Sequence, residues 1–141
     1  SIDTELKIND ELLYDNISSG KYVEIIRNWL NNDRLDIIFK MNTEFVESDQ
    51  KIKSNRGRVA ISNGPLVYCI EQKDNKDFDI FTTMVKKDQE LTVIYQPEIL
   101  GGVNIIIGKE SGSKSFTAIP YYAWNNRGAN NMQIWHLTEK N

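Results

Sequence analysis

Three aromatic residues crowd a short stretch at Tyr121, Tyr122 and Trp124, and a polar Asn125-Asn126-Arg127-Gly128 turn follows at once. Aromatic rings stack on the C–H faces of sugars, and amide or guanidinium side chains hydrogen-bond their hydroxyls. Tyr121, Tyr122, Trp124, Asn126 and Arg127 are therefore the candidate carbohydrate-binding residues. The competing reading is packing, because each ring buries a large apolar area in a core or against a neighbouring domain. Exposure separates the two: a binding module presents its rings on the surface, and a packing element covers them.

Other chemistry is sparse. Cys69 sits inside Leu66-Val67-Tyr68-Cys69-Ile70. A thiolate nucleophile needs a base or a positive environment, whereas a free cysteine in an apolar strand behaves as a small buried hydrophobe. His136 is the one histidine and Cys69 the one cysteine. Together they cannot form the common four-ligand zinc site, and a lone cysteine forms no internal disulfide. Asp74, Asp77 and Asp79 make a small acidic group that could ligate calcium, but it lacks the glycine and closing glutamate of an EF-hand loop, so a solvated loop is expected there. Lys51, Lys53, Arg56 and Arg58 concentrate charge, but no recognition motif for nucleic acid accompanies them. Carboxylates are plentiful, yet an acid/base pair must face one cleft, and spacing along the chain does not show that. No catalytic residue and no metal ligand is assigned.

The elements that would position these residues are strands. Leu35, Ile37, Phe39 and Met41 alternate with Asp36, Ile38 and Lys40, and residues 21–29 are rich in β-branched and aromatic types. Asn31-Asn32-Asp33 lies between them, so the two runs read as a β-hairpin. Further strands are expected at 44–47, 58–61, 66–71, 79–82, 104–107, 115–119 and 132–137, with one more at 6–8. Residues 88–95 could supply a turn of helix, although their Val, Thr, Ile and Tyr argue against a long one. The polar loop 72–78 is the candidate for a mobile surface segment. Trp135, Tyr68, Ile105, Phe39 and Ile37 are expected in the core. Many short strands with little helix imply an all-β fold, an antiparallel β-sandwich of jelly-roll or similar type.

Composition agrees with a folded domain. The 141 residues carry a formal charge of −3, 40% hydrophobic and 26% charged residues. That balance gives no long-range attraction to nucleic acid or to anionic lipid. No apolar run approaches the ~20 residues that span a bilayer, so no membrane association is expected. Ser1-Ile2-Asp3-Thr4-Glu5 is not a signal peptide, and an export signal would lie upstream.

Three ordered stretches carry a family resemblance. They are Tyr22-Val23-Glu24-Ile25 with Trp29; Lys51-Ile52-Lys53, Arg56-Gly57 and Val59-Ala60 leading into Gly64-Pro65-Leu66-Val67-Tyr68-Cys69; and Ile119-Pro120-Tyr121-Tyr122-Ala123-Trp124 with Asn126-Arg127-Gly128. Together they resemble the C-terminal region of glycoside hydrolase family 127, the β-L-arabinofuranosidase-like proteins. Residues 78–110 show no clear family pattern.

The resemblance implies a non-catalytic β-sandwich that follows an (α/α)6 barrel. It implies that a cysteine nucleophile and a zinc held by cysteines and a glutamate belong to that barrel, with no cofactor in this chain. The partner it implies is the chain's own catalytic barrel in a longer, bacterial and exported enzyme, with a glycan as a further partner. Residues 1–141 are expected to form one sandwich, of which 1–45 resembles the end of a preceding one. Self-association is expected through the surface that the barrel would cover.

Overall fold

The computed structural model describes residues 3–15, 17 and 20–139; Ser1 and Ile2 of the opening stretch lie outside the described residues. The fold is all-β and sandwich-like. Among the described residues no helix is long and apolar enough to cross a membrane. The chain divides into two compact units, Ser1–Asn42 and Thr43–Asn141.

The first unit holds β1 (Asp3–Ile8), β2 (Glu11–Tyr14) and β3 (Leu35–Lys40) in the order β2-β1-β3. Asn9 and Asp10 turn the first hairpin with φ of 52° and 69°, a left-handed backbone that short polar side chains tolerate. Leu6 and Ile8 of β1 are buried. The hairpin expected between 21–29 and 35–41 does not form: 21–29 carries no strand, and β3 pairs instead with β1.

The cause is visible at the intervening turn. Asp33 accepts from the Leu30 N–H at 2.9 Å and from Asn9 Nδ2 at 2.8 Å, while the Arg34 N–H donates to Asn9 Oδ1 at 2.9 Å. These bonds tie the turn to the β1–β2 corner and deliver residue 35 to β1. Period-two alternation names the apolar face of a strand, not the neighbour that completes its ladder. Ile37 and Phe39, expected in the core, are accordingly 53% and 59% exposed.

The second unit is built on β4 (Thr43–Glu47), β5 (Arg58–Asn63), β6 (Leu66–Glu71), β7 (Met84–Val85), β8 (Thr92–Gln96), β9 (Val103–Lys109), β10 (Ser115–Pro120), β11 (Met132–Gln133) and β12 (His136–Thr138). Its main path runs β7-β12-β5-β6-β10-β9-β8, antiparallel except for the β12–β7 pair. Gly64 and Pro65 make a two-residue turn between β5 and β6, with Gly64 at φ 56°. Alternation then splits the apolar side chains between two clusters. Tyr68, Ile70, Ile106, Phe116 and Ala118 fill one, and Cys69, Ile105 and Ile119 fill the other. Burial on both faces explains why residues 66–70 read as an unbroken apolar run.

The expected strand 132–137 forms as two pieces, and the break is structural. Residues 132 and 133 pair with the end of β6, while 136 and 137 pair with the start of β5. The segment thus bridges the gap where β5 and β6 splay apart. Arg58 Nη1 seals the crossover by donating to the Trp135 carbonyl at 2.8 Å. Trp135 is therefore half-buried rather than a core residue, whereas Tyr68 and Ile105 are buried as expected.

Two further expectations fail locally. Residues 79–82 form a turn, because Asp79 Oδ1 accepts the Phe81 N–H at 2.9 Å and its carbonyl accepts the Thr83 N–H at 3.1 Å. Residues 92–96 form the strand β8, in keeping with their β-branched content.

Phe116 is fully buried beside Gly108, where any Cβ would collide with its ring. Phe116→Ala should cost about 3–5 kcal/mol in urea denaturation, and Trp135→Ala clearly less. Equal losses would show that Trp135 is as deeply packed as Phe116.

Candidate functional site

β10 ends at Pro120, which fixes φ, lacks an N–H and stops the ladder. A 3-10 turn follows at Tyr121–Ala123, closed by the Trp124 N–H on the Tyr121 carbonyl at 3.2 Å. Ala123 is the residue this turn buries, so the large rings face outward. Tyr121 and Trp124 are exposed, and Tyr122 is 61% exposed. Asn126 is exposed too, with its amide donating to the Ala123 carbonyl at 3.1 Å.

Arg127 is placed differently. Its Nη1 and Nη2 donate to the two carboxylate oxygens of Asp74 at 2.9 and 2.6 Å, and Nη2 also reaches Glu71 Oε2 at 2.6 Å. The other oxygen of Glu71 accepts the Asn125 N–H at 2.8 Å, with Asn125 at φ 60°. Glu71 is only 2% exposed, so its charge depends on these partners. Hydrogen bonding to Asp74, set against burial and aided by Glu71, raises the Arg127 pKa above its ordinary value. Both terminal nitrogens of Arg127 are thus engaged within the protein, and the aromatic turn rests on the end of β6.

The neighbouring loop reinforces this mooring. Gln72 N–H donates to the Asn131 carbonyl at 3.0 Å, and Lys73 Nζ to the Arg127 carbonyl. Loop 72–78, expected as a mobile segment, is pinned from inside. Buried Asn75 donates to the Glu71 and Thr117 carbonyls at 2.7 and 2.9 Å and accepts the Thr117 N–H at 2.8 Å. Gln72 Nε2 donates to the Asn75 and Phe78 carbonyls, both at 2.6 Å. Composition hid this, because an asparagine that satisfies two strands is indistinguishable in sequence from one facing water.

The remaining candidates are separated. Asp74 pairs with Arg127, Asp79 caps its own turn, and Asp77 offers its carbonyl to Lys114 Nζ at 2.6 Å. Among the described residues no three acidic, histidine or cysteine side chains are grouped to hold a metal. Cys69 is buried on β6 and His136 on β12, and neither belongs to such a group among the described residues. Burial first, then the charges of Glu71 and Asp74, pushes the Cys69 thiol up to about 12. At neutral pH the group is a thiol and no nucleophile. The role of Glu71, Asp74 and Asn75 as partners was not legible in the sequence, although Asp74-Asn75 belongs to the stretch that resembles the family.

His136 is buried with Nε2 unbonded among the described residues. Burial first, and the Arg58 charge second, lower its pKa to about 4.

Fold and site together describe an all-β, sandwich-like domain with an outward aromatic turn moored on a buried ion-pair network. A family model described as the glycoside hydrolase family 127 C-terminal domain matches residues 43–137. The chain belongs to glycoside hydrolase family 127, and the match begins where the second unit begins, at Thr43.

The chain is 24% identical, over 92% of its length, to the non-reducing end β-L-arabinofuranosidase of Bifidobacterium longum subsp. longum, of which it covers 23%. Among solved structures, a family 127 β-L-arabinofuranosidase from Geobacillus stearothermophilus T6 is 29% identical with a TM-score of 0.74, covering 97% of this chain and 24% of that one. Another family 127 β-arabinofuranosidase is 28% identical with a TM-score of 0.80, covering 96% and 23%. The chain therefore spans about a quarter of the length of these relatives.

Two outcomes are expected. Arg127→Ala leaves the Glu71 carboxylate buried without its cation and should cost about 3–5 kcal/mol, with faster amide exchange across 121–128. Stability should also depend on pH through His136. Its folded pKa lies below the ordinary 6.5, so the unfolded chain takes up the proton first as pH falls. The contribution of the neutral ring is full above about pH 6.5 and is lost as pH drops toward 4, amounting to about 3 kcal/mol. His136→Leu should flatten that part of the urea-denaturation profile.

Proposed function

We propose that the chain is a non-catalytic accessory region of a β-L-arabinofuranosidase-like glycoside hydrolase, and that it braces the catalytic barrel of the longer protein. One observation carries this reading: large apolar side chains are exposed in quantity on a chain about a quarter as long as its relatives. Tyr122 and Trp124 on the aromatic turn, Tyr95 on β8, and Ile37 and Phe39 on β3 are all exposed. Exposed rings on the aromatic turn and exposed apolar side chains on β3 and β8 support docking against another part of the longer protein. A moored turn suits the role, because a rigid ring loses little freedom when it docks. The zinc and the nucleophile belong, in this reading, to the barrel and not to this chain. The same surface would drive self-association of the chain when the barrel is absent.

A second reading, a carbohydrate-binding module using Tyr121, Tyr122, Trp124 and Asn126 with Arg127 as their support, is favoured by the outward rings. Two measurements decide between them. The isolated chain should not hydrolyse a chromogenic β-L-arabinofuranoside, and Trp fluorescence should not change when arabino-oligosaccharides are added. Tyr122→Ala with Trp124→Ala should lower the Tm of the full-length enzyme and leave that of the isolated chain unchanged. Saturable sugar binding that these substitutions abolish would replace bracing with the binding module.

A further inference from the structure

The basic stretch 51–58 has no part in the reading above, yet the fold gives it a defined setting. It runs from the end of β4 through a 3-10 turn at Lys53–Asn55 into β5, and it encloses a pocket of about 70 Å³. Ser48, Asn55, Arg56, Arg58 and Thr138 border the pocket together with Glu47. Arg56 is held in place, with Nε and Nη2 both donating to the Gln50 carbonyl at 3.0 and 2.9 Å. That leaves the outer edge of its guanidinium, Nη1 and the second hydrogen of Nη2, without an acceptor among the described residues. Arg58 is fixed by its bond to the Trp135 carbonyl.

Neither arginine has a carboxylate within 4.0 Å among the described residues. Glu47 does line the pocket, but it is ion-paired with Lys87. Two guanidiniums held by main-chain carbonyls and ion-paired with no carboxylate among the described residues, beside the Ser48 and Thr138 hydroxyls and the Asn55 amide, have the chemistry to take an oxyanion. The planar fork of arginine matches a carboxylate. The pocket's volume exceeds the ~10–15 Å³ that one water needs, so it has room for a small polar group.

The pocket does not end there. Glu47, Arg56, Gly57 and Thr138 also belong to an adjoining groove of about 630 Å³ that continues over Met84, Lys87 and Leu137 to a second carboxylate, Glu139. Ligand sites commonly occupy about 300–1,000 Å³. Met84 and Leu137 among the polar lining residues suit pyranose rings, which offer C–H faces and hydroxyls at once.

We infer that this pocket and groove bind an acidic oligosaccharide, with a uronic-acid carboxylate on Arg56 and Arg58 and the neighbouring sugar units along the groove. The site shares no residue with the aromatic turn, so its failure would leave the bracing reading intact, and the reverse holds too.

The test is NMR titration of the full ¹⁵N-labelled chain with digalacturonate, with neutral galactobiose and with sodium sulfate. Digalacturonate should shift the Arg56 Nε–H and the Ser48 and Thr138 amides, bind about tenfold more tightly than galactobiose and weaken with added salt. Arg56→Gln should reduce that affinity by about tenfold without moving the Tm, because Arg56 is exposed and paired with no carboxylate. No shift at about 10 mM digalacturonate, or equal affinity for galactobiose, overturns the proposal. Sulfate binding as tightly as digalacturonate overturns it as well, since the groove would then contribute nothing.

Discussion

A carboxylate removed from water must find a cation, and in this protein that requirement falls on Glu71 at the end of a buried strand. Arg127 answers it from the far side of the aromatic turn, and the Asn125 N–H takes the remaining oxygen. Removing either partner strands a charge in a medium where isolated charge costs several kcal/mol. The path of the chain from Pro120 to Gly128 is therefore set by one residue on β6. The outward direction of Tyr121, Tyr122 and Trp124 follows from that path, because Ala123 is the residue that fits inward.

The same economy of polar groups extends across the neighbouring loops. Asn75 satisfies main-chain atoms of β6 and β10 together, and Glu110 does the same for the β9–β10 turn. There the Gly112 and Lys114 N–H groups donate to its carboxylate, both at 2.7 Å. Burial works against the charged form of Glu110, but those two bonds with the charges of Lys114 and Lys86 outweigh it and hold its pKa below the ordinary carboxylate range. Segments that look solvated in composition are thus fixed by buried acceptors. Rigid loops follow, and they suit a surface that docks more than one that must adapt.

Burial also sets the protonation of the two most reactive side chains. Cys69 is held as a thiol, and His136 as a neutral ring with no partner for Nε2 among the described residues. Both lie buried on strands of one sheet, Cys69 on β6 and His136 on β12. At the surface stand the rings of the moored turn and the guanidinium of Arg56, held by the Gln50 carbonyl. The unit that carries both features is the one that matches the C-terminal domain of family 127.

The sequence by itself determined the fold class, most strand positions and the family. Local alternation, the Asn63-Gly64-Pro65 turn and the Pro120 stop each act through residues close in the chain. It also disclosed Cys69 as a buried strand residue, because its flanks are apolar on both sides. Only the tertiary structure decided the rest. β3 took β1 as its partner because Asn9 and Asp33 meet across the unit, which no local pattern records. Segment 132–138 broke in two because β5 and β6 diverge. Arg127 left the list of groups facing solvent because Glu71 and Asp74, remote in sequence, needed its charge. A residue's type fixes what bonds it can make; the distance to its partner is a property of the whole chain, and that distance decides whether the bond is spent inside the protein or offered to a ligand.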